Sequence, residues 1–454
     1  MSTKKRFWNF LDRMTGDKAV WIIMLMLMLL SILLIFSSSS RLTSEDMSRF
    51  DIMLEHLKIV GLGLLSVILI YNIFKDIELF RKISRFGFAF SLILLIILQF
   101  AGVRINGAVR FFYIGPLQFH VFEVVKVAMM MYIAWVVDAL ENGRPMLIEQ
   151  VLKNSSKLDW LKKRNTRKII LLYIPFIIVI FLVMRGSNTT ALFLAALMMI
   201  TIAVGTKDFK MMFTMISLCI LLAIGGYSIY SISKKLGDNP PKLERIGTAI
   251  NRVISPDYVK QYKNATTKEE KQDALDRLRQ PYSARIAIKQ GKYLGKGPGQ
   301  STQRYVVPDM AEDYMFSFIV EEYGWMSLFV IILYLSLVAR GVLIIKNCSN
   351  NIFAKCAIFG LVLLISGQAF MHIFVNMDFG LLTGQTLPLL SHGSFAFLCF
   401  SIAFGIILSI SRIANKGMER ESKKAEPLYY IPDTPQDAVS ESLSDLDNFE
   451  SNNV

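Results

Sequence analysis

Residues 19–36 read AVWIIMLMLMLLSILLIF, an uninterrupted apolar run with no charged residue. A helix crosses the hydrocarbon core of a bilayer with roughly 20 apolar residues. A secretory signal would be followed by a small-residue cleavage site, whereas this run ends in Ser37, Ser38, Ser39 and Ser40 without an obvious cut. We therefore interpret residues 19–36 as a retained membrane-spanning helix.

The rest of the chain repeats this pattern. Apolar runs of similar length occupy residues 57–74, 86–103, 119–139, 169–184, 189–204, 211–232, 323–345, 352–375 and 387–410. The chain has 454 residues, is 53% hydrophobic and 19% charged, and has a mean hydropathy of +0.45, which is too apolar for a soluble domain of this length. The sequence predicts an all-α polytopic membrane protein with about ten transmembrane helices.

The formal net charge of the chain is +14. A basic chain can bind nucleic acid, but a multi-span protein concentrates Lys and Arg in its cytoplasmic loops, so we expect no nucleic-acid partner. Basic clusters occur before or between alternate spans, and hence on one side of the membrane, at Lys4 to Arg6, Arg81 to Arg85, Lys162 to Lys168, Lys207 and Lys210, Lys346 and Lys355, and Arg412 to Lys424. Both termini are therefore predicted to be cytoplasmic.

The alternation of spans divides the chain into parts. Residues 1–18 form a cytoplasmic N-terminus, residues 19–412 a transmembrane domain, and residues 413–454 a tail, acidic and Ser-rich from Glu426, that we expect to be disordered. One connection is long, because residues 233–322 carry charge, Pro and Gly, and the topology puts them outside. Such long loops are usually functional or disordered. No cysteine pair has the spacing of a disulfide or metal site.

Two segments of this large extracytoplasmic loop are predicted to be helical. Residues 267–278 (TKEEKQDALDRL) have the pattern of a polar, solvated helix. Residues 285–296 are amphipathic and suit the membrane surface. The candidate functional residues of this loop begin at the end of the second segment.

A Gly-rich segment and an acidic segment follow one another in the large loop. Residues 295–301 read GKGPGQS; their glycines let backbone amides approach an anion, and Lys296 adds a cation suited to phosphate. A purely structural turn is the alternative. Asp309, Glu312 and Asp313 then precede an apolar helix, where burial would raise the pKa of a carboxyl group toward the range of a general base. These acids could also simply cap the helix N-terminus.

Charged residues also occur inside apolar runs. Glu321 and Glu322 lie where a span is developing, and carboxylates there are costly enough to imply a partner or a role. Glu123 and Lys126 are spaced i to i+3 on one helical face and can neutralise each other. A structural ion pair is the simpler reading of Glu123 and Lys126, and a direct catalytic role is the alternative.

The last outer loop, residues 376–394, reads NMDFGLLTGQTLPLLSHGS. Gly, Pro and polar groups at membrane depth persist only where protein or a water-filled cavity satisfies the backbone, so a cavity is implied. His392 is most simply a satisfied polar residue of this re-entrant turn. Arg104, Arg110 and the aromatic residues that follow suit an interfacial element near lipid headgroups.

Three ordered motifs carry a family resemblance. Residues 368–412 contain Gly-Leu-Leu, Thr-Gly, Leu-Pro and a terminal Ser-Ile-Ser-Arg; residues 106–126 contain Asn-Gly-Ala-Val-Arg and Glu-Val-Val-Lys; and residues 295–322 contain the Gly-rich loop, the acidic motif and paired glutamates. Together they resemble the shape, elongation, division and sporulation (SEDS) family, which includes RodA, FtsW and SpoVE. The resemblance spans residues from about 20 to 415.

The resemblance implies an inner-membrane peptidoglycan glycosyltransferase that polymerises lipid II and releases undecaprenyl pyrophosphate. The family's essential aspartate matches Asp313, which would take the proton from the acceptor sugar's 4-hydroxyl. The candidate cations for the departing pyrophosphate are Arg110, Lys296, Arg245 and Arg285. The family's glutamate and lysine carry over to Glu123 and Lys126, which we expect to shape the central cavity, and Glu321 and Glu322 match its paired glutamates.

The family also implies partners. A class B penicillin-binding protein, which is a transpeptidase, is expected on the outer face and along the helices, together with other membrane proteins of the division complex. A divalent cation, Mg²⁺ or Mn²⁺, would suit the pyrophosphate, but no metal-ligand cluster is present in the sequence, and we predict no metal ligands. The motif Thr-Gly-Gln-Thr-Leu-Pro and the extended tail favour the FtsW type, which acts in cell division, over a RodA-type elongation polymerase.

The sequence departs from the family pattern in places. Residues 391–395 read SHGSF where many members have serine-tyrosine-glycine-glycine-serine, and residues 185–189 read RGSNT instead of the usual glutamine-proline-aspartate segment. The insertion between residues 257 and 280 is longer than expected.

Two other functions remain open: a lipid II flippase, suggested by the charges of Glu123 and Lys126 within the bilayer, and a non-enzymatic scaffold of a division complex.

Overall fold

The structure is a computed structural model of the chain. It describes residues 16–38, 48–105, 108–115, 117–143, 163–210, 212–217, 220, 221, 224, 225, 228, 262, 263, 265, 267–307, 310–348, 351–379 and 384–425. Arg245 and residues 1–15 and 426–454 lie outside this described part.

Helices dominate the described residues. In chain order they are α1 (Lys18–Ser38), α2 (Arg49–Ile73), α3 (Ile77–Ser84), α4 (Gly87–Ala101), α5 (Val121–Glu141), α6 (Arg164–Met184), α7 (Asn188–Thr206), α8 (Lys268–Gly291), α9 (Met315–Tyr323), α10 (Met326–Asn347), α11 (Ile352–Asn376) and α12 (Ser394–Ala425). Two antiparallel hairpins join α4 to α5, β1 (Arg104–Ile105) with β2 (Ala108–Val109) and β3 (Phe111–Ile114) with β4 (Leu117–His120).

The predicted all-α polytopic membrane fold is confirmed. Seven of the described helices are long and apolar enough to cross a bilayer, and the pair α3 and α4, which is bent by 43°, makes up to eight. Helix α5 is also 21 residues long, but it contains Glu123, Lys126 and Asp138. The residues described between 212 and 228 are helical and fall in the seventh predicted run. The number ten stays a prediction.

The helices differ in how deeply they are buried. In α12, 78% of the residues of the apolar span are buried, and in α11 67%, against 28% in α2. Helices α11 and α12 therefore lie at the centre, and α2 lies at the periphery. Large apolar side chains such as Leu33 and Phe100 are exposed on the outer surface of the helices. Lipid tails would cover such side chains in a membrane.

A proline shapes helix α6. Pro175 has no N–H, so the carbonyl four residues earlier, that of Leu171, loses its helical partner. The helix forms a π-helical turn at Ile169–Tyr173, and the hydroxyl of Tyr132 on α5 donates to the Leu171 carbonyl at 2.9 Å. A neighbouring helix thus satisfies the freed backbone group, as the absence of water in a bilayer requires.

Within the described residues, Arg81, Arg164 and Arg412, which were predicted to be cytoplasmic, contact neighbouring elements at one end of the bundle. Gly16, which precedes α1, lies against Arg412 of α12. Ion pairs at this end include Arg340 with Asp17 at 2.6 Å, Arg81 with Asp138 at 2.9 Å, and Arg164 with Glu141 at 2.7 Å. Acidic partners thus neutralise part of the positive charge at this end.

The large loop differs in one respect from its prediction. The segments 267–278 and 285–296 were predicted as separate, but α8 runs from Lys268 to Gly291 through Pro281. A proline keeps helical φ and removes a single hydrogen bond, so the helix continues through it.

The tail was predicted to begin at residue 413, whereas α12 continues to Ala425. Residues 416–454 form a second unit, of which 416–425 are described, as helix.

Candidate active site

Asp313 lies on the turn of residues 310–314 that leads into α9. Its side chain is half-buried. A Cβ atom added to Gly384, in the last outer loop, would lie 3.1 Å from Asp313 Oδ2, so the loop backbone passes directly beside the carboxylate. The large loop and the last outer loop, which are far apart in sequence, therefore meet at the predicted general base.

The turn that carries Asp313 is held through its carbonyl groups. The amide of His392 donates to the Ala311 carbonyl at 2.8 Å, and the Ser391 hydroxyl donates to the Glu312 carbonyl at 2.8 Å. The Asn376 side chain donates to the Asp313 carbonyl at 3.0 Å. Three successive carbonyls thus have donors from α11 or the last outer loop, which leaves the Asp313 carboxylate on a fixed backbone.

Lys126, which is fully buried, is the centre of a second cluster. Its Nζ atom lies 2.7 Å from Glu123 Oε1, so the predicted ion pair is present. The same ammonium donates to Gln368 Oε1 at 2.6 Å and to Gln385 Oε1 at 3.0 Å. With three acceptors for its three protons, Lys126 is satisfied within the protein. This arrangement fits the structural ion pair, and a catalytic role for Glu123 or Lys126 stays untested.

The turn that carries Asp313 and the Lys126 cluster are neighbours. A Cβ atom added to Gly384 would meet the Asp313 carboxylate, and the next residue, Gln385, binds Lys126. Consecutive Cα atoms are about 3.8 Å apart, so one short stretch of the last outer loop serves both sites. Asp313 and the Glu123–Lys126 pair therefore lie beside consecutive residues of this stretch.

The pKa of His120, at the end of β4, is affected by the charges around its imidazole. Burial lowers the pKa of its imidazole, while the carboxylates of Glu123 and Glu312 act in the opposite direction. The positive charges of Arg110 and Lys126 add to the lowering of the His120 pKa. Arg110, which is exposed, is therefore close enough to the site to act on the same ring as Glu123 and Lys126.

Glu321 binds the Gly-rich loop. Lys296 Nζ lies 2.7 Å from Glu321 Oε1, and the Ser301 hydroxyl and the Thr302 amide also donate to this carboxylate. Burial raises the pKa of Glu321, but these hydrogen bonds and the Lys296 charge outweigh it, so the pKa lies below its ordinary value. Lys296 and Glu321 are thus brought together as partners.

Glu322 ties the Gly-rich loop to the outer end of α1. Its carboxylate accepts from the Ser37 hydroxyl at 2.5 Å and from the Ser301 amide at 3.2 Å. Arg304 Nη1 lies 3.5 Å from Glu322 Oε1 and donates to the Ser37 carbonyl at 2.9 Å. Both paired glutamates therefore receive donors from the chain itself.

Arg285 lies on α8 and forms an ion pair with Asp378 of the last outer loop. More than half of the Arg285 side chain and 40% of the Asp378 side chain are exposed, so water screens this pair. Arg245, the remaining candidate cation, lies outside the described residues. No group of three or more His, Cys, Asp or Glu side chains that could hold a metal ion occurs in the part of the chain that the structure describes.

Several residues of the site were not predicted to have a role: Gln368, His372, Asn376, Asp378, Gln385 and His120. The first three lie on α11 at i, i+4 and i+8, and all three are buried. Polar residues repeating at this spacing within an apolar span lie on one helical face, which is a signal that the sequence contained. The role of Gln385 had no such signal, because its partners come from α5 and α7.

The family model of the cell cycle proteins FtsW, RodA and SpoVE matches residues 17–416. The chain belongs to this family. Among its relatives, the probable peptidoglycan glycosyltransferase FtsW of Xanthomonas oryzae pv. oryzae is 27% identical over 91% of this chain and 76% of its own length. That of Aliivibrio salmonicida is 23% identical over 91% of this chain and 93% of its own.

Some matches to the family are shorter. The FtsW proteins of Caulobacter vibrioides and Hahella chejuensis are 33% and 32% identical, and the chain spans only 32% and 39% of their lengths.

Solved structures agree on the fold. A chain from a peptidoglycan synthase complex that polymerises and crosslinks has a TM-score of 0.61 at 17% identity, covering 88% of this chain and 98% of that one. The RodA protein of Thermus thermophilus has a TM-score of 0.52 at 16% identity, covering 87% and 97%.

Proposed function

We propose that this family member is a peptidoglycan glycosyltransferase that polymerises lipid II into glycan strands at the outer face of the bacterial cytoplasmic membrane. The observation that carries the proposal is the Asp313 carboxylate, half-buried on a turn whose carbonyls are held in place, beside the last outer loop. The FtsW relatives bear the name peptidoglycan glycosyltransferase, which supports the reaction class.

The reaction joins two sugars. The acceptor's 4-hydroxyl oxygen forms a bond to the anomeric carbon of the donor, and the bond from that carbon to the pyrophosphate oxygen breaks. Asp313 takes the hydroxyl proton, and undecaprenyl pyrophosphate leaves with the bonding electrons. Cations near the leaving group stabilise its charge. Arg110, Lys296, Arg285 and Arg245 are the candidates, of which Lys296 and Arg285 have carboxylate partners.

The proposal is tested by replacing Asp313 with Asn, which keeps the shape of the side chain and removes its basicity. We expect polymer formation from purified lipid II, with the class B penicillin-binding protein present, to fall by about 100-fold or more. Glu312→Gln, which changes the neighbouring and more exposed carboxylate, is the matched control and should retain most activity. Full polymerisation by Asp313→Asn would remove this residue from the mechanism.

The cell-division role is the second part of the proposal. The relatives named above are FtsW proteins, whereas a RodA protein shares only the fold, so we favour a division complex with a class B penicillin-binding protein and other membrane proteins of the divisome. Depletion should give filamentous cells that lack septa. Rounded cells that still divide would instead indicate a RodA-type elongation polymerase.

The orientation of the chain is also a proposal. Both termini are cytoplasmic and the large loop is outside, because basic residues gather at the end of the bundle where Gly16 meets Arg412. A membrane-impermeant thiol reagent should label Leu294→Cys in intact cells, and should label Lys346→Cys only after the membrane is opened. The reverse pattern would place the acidic site in the cytosol, where no glycan strand is made.

A flippase is the alternative, and the charged pair of α5 is the observation that favours it. Lys126 is satisfied by Glu123, Gln368 and Gln385, which instead fits a fixed structural cluster. Headgroup translocation of lipid II in liposomes without polymer would support the flippase.

A further inference from the structure

Helix α9 begins two residues after Asp313, and its first turn lacks a local cap. The amides of the first turn of any helix have no partner within that helix. The residue before α9, Tyr314, provides no side-chain hydrogen bond to them. Whatever binds these amides therefore fixes where the helix starts, and with it the position of the turn that carries Asp313.

Two buried side chains of α11 supply the missing cap. The Ser317 amide donates to Asn376 Oδ1 at 2.9 Å, and the Ser317 hydroxyl donates to the same oxygen at 2.8 Å. The Phe316 amide donates to His372 Nε2 at 3.3 Å. Both α11 residues are 1% exposed, so water does not compete for these bonds.

Asn376 binds on both sides of Tyr314. Its Oδ1 accepts from Ser317, so its Nδ2 is the donor, and this nitrogen donates to the Asp313 carbonyl at 3.0 Å and to the His372 carbonyl at 2.9 Å. The partners settle the orientation of the amide. One rigid side chain thus joins the backbone of Asp313 to the start of α9.

His372 connects this cap to the Lys126 cluster. Its Nδ1 lies 2.7 Å from the Gln385 carbonyl, which can only accept, so Nδ1 carries the proton and Nε2 is free to accept from Phe316. Gln385 in turn binds Lys126 and donates to the Thr190 hydroxyl at 2.9 Å. The chain of bonds runs from the Asp313 turn to the buried charge of α5.

We propose that Asn376 and His372 are positioning residues that hold the Asp313 carboxylate in place for the acceptor hydroxyl. The inference rests on the proposed role of Asp313 as general base. Neither residue touches the reacting atoms; each acts through the backbone that carries Asp313. A displacement of about 1 Å at a reacting group can lower a rate by about 100-fold, so a cap that fixes this backbone has a measurable effect on turnover.

The sharpest variant is Asn376→Asp. It keeps the volume and the acceptor for Ser317, but it replaces the donor to the Asp313 carbonyl with a second acceptor. We expect kcat for lipid II polymerisation to fall by about 10- to 100-fold, with KM for lipid II changed little. Ser366→Ala, a buried position on another face of α11, is the matched control and should keep the kcat of the unchanged protein.

A double-mutant cycle separates positioning from a general loss of folded enzyme. If Asn376 acts through Asp313, then Asn376→Asp in an Asp313→Asn background should lower the residual rate by less than about threefold. A merely structural defect reduces the active fraction in every background, and the two losses would then multiply. Multiplying losses, or an unchanged kcat in Asn376→Asp alone, would overturn the inference.

His372 gives an independent check. His372→Gln keeps one donor and one acceptor, whereas His372→Ala keeps neither, so Gln should restore a large part of the kcat lost with Ala. Equal loss in both variants would contradict the role of the imidazole as a cap. Full activity of Asp313→Asn alone would instead contradict the proposed function. Failure of the positioning role and failure of the proposed function can therefore be distinguished.

Discussion

At the scale of single residues, two buried charges in the described part of the chain, Lys126 and Glu321, each have several partners. Lys126 is fully buried with three acceptors, and Glu321 is buried with donors from a lysine, a hydroxyl and an amide. An ion away from water is tolerated only when its partners replace the hydration that it lost. Removing one member of such a cluster is therefore more harmful than removing an exposed charge.

Lys126→Met tests this reasoning. The change leaves Glu123, Gln368 and Gln385 without their common donor, and breaking a buried pair costs about 3–5 kcal/mol. Lys168→Met breaks the ion pair with the more exposed Asp208 and should cost at most about 1 kcal/mol. Thermal unfolding in detergent compares the two, and equal losses would contradict the importance of burial.

Glu321 predicts a dependence on pH. Its pKa is below the ordinary value of 4.5 in the folded protein, so its contribution to stability is fully present above about pH 4.5 and is lost as the pH falls through the folded pKa. The bonds from Lys296, Ser301 and Thr302 should then weaken. Amide hydrogen exchange of residues 295–304 should rise at low pH, and Glu321→Gln should be less stable at neutral pH and lose this acid-dependent change.

At the scale of elements, the Gly-rich loop is shaped by contacts that only a glycine permits. Gly295 has φ +75° and its α-carbon faces the Glu322 carbonyl, whereas Gly299 has φ +76° and has open space where a Cβ would be. The amides of Lys296 and Gly297 donate to the carbonyls of Glu321 and Glu322. The loop therefore adds backbone hydrogen bonds to the end of α9.

The two glycines form a matched pair of variants. Alanine at either position adopts a left-handed conformation at a cost of about 1–2 kcal/mol. At Gly295 the new Cβ would also lie 2.3 Å from the Glu322 carbonyl oxygen, so Gly295→Ala should destabilise the protein clearly more than Gly299→Ala. Apparent melting temperatures measure the difference. Indistinguishable values would mean that the loop does not pack on α9 as described.

At the scale of the whole molecule, the bundle depends on close approach between helices that are distant in sequence. Gly63 of α2 faces Ser401 and Phe397 of α12, where an added Cβ would lie 2.6 Å from the Ser401 hydroxyl. Gly61, two residues earlier, has no atom within 4 Å of its hypothetical Cβ. Small residues allow helix backbones to approach in membranes, where apolar surface alone gives no preference for protein over lipid.

Gly63→Ala should therefore disturb the packing of α2 on α12, and Gly61→Ala should not. We expect Gly63→Ala to lower the apparent melting temperature, with a loss of about 1–3 kcal/mol from overpacking, while Gly61→Ala is neutral or slightly stabilising. The measurement is the fraction that remains monodisperse in detergent after heating. An unaffected Gly63→Ala would show that α2 can move away from α12 without cost.

The sequence by itself determined the membrane class, the approximate positions of the spans that the described residues confirm, and the candidate general base. Apolar runs such as residues 19–36 are sufficient for the spans because a bilayer leaves helices few alternatives, and basic clusters indicate a side. The motif order indicated the family and selected Asp313, Glu123 and Lys126. These are properties of local pattern, so no long-range contact is needed to recognise them.

Only the tertiary structure decided what each polar residue binds. Gln385 reaches Lys126 across 259 positions, and Ser37 reaches Glu322 across 285. Nothing in the local pattern of either residue specifies its partner, because such pairs form only when the helices pack. For the same reason the caps of α9, which come from Asn376 and His372, could not be predicted. A buried amide N–H donates to whichever acceptor the fold brings within hydrogen-bonding distance, and the fold is set by the whole chain.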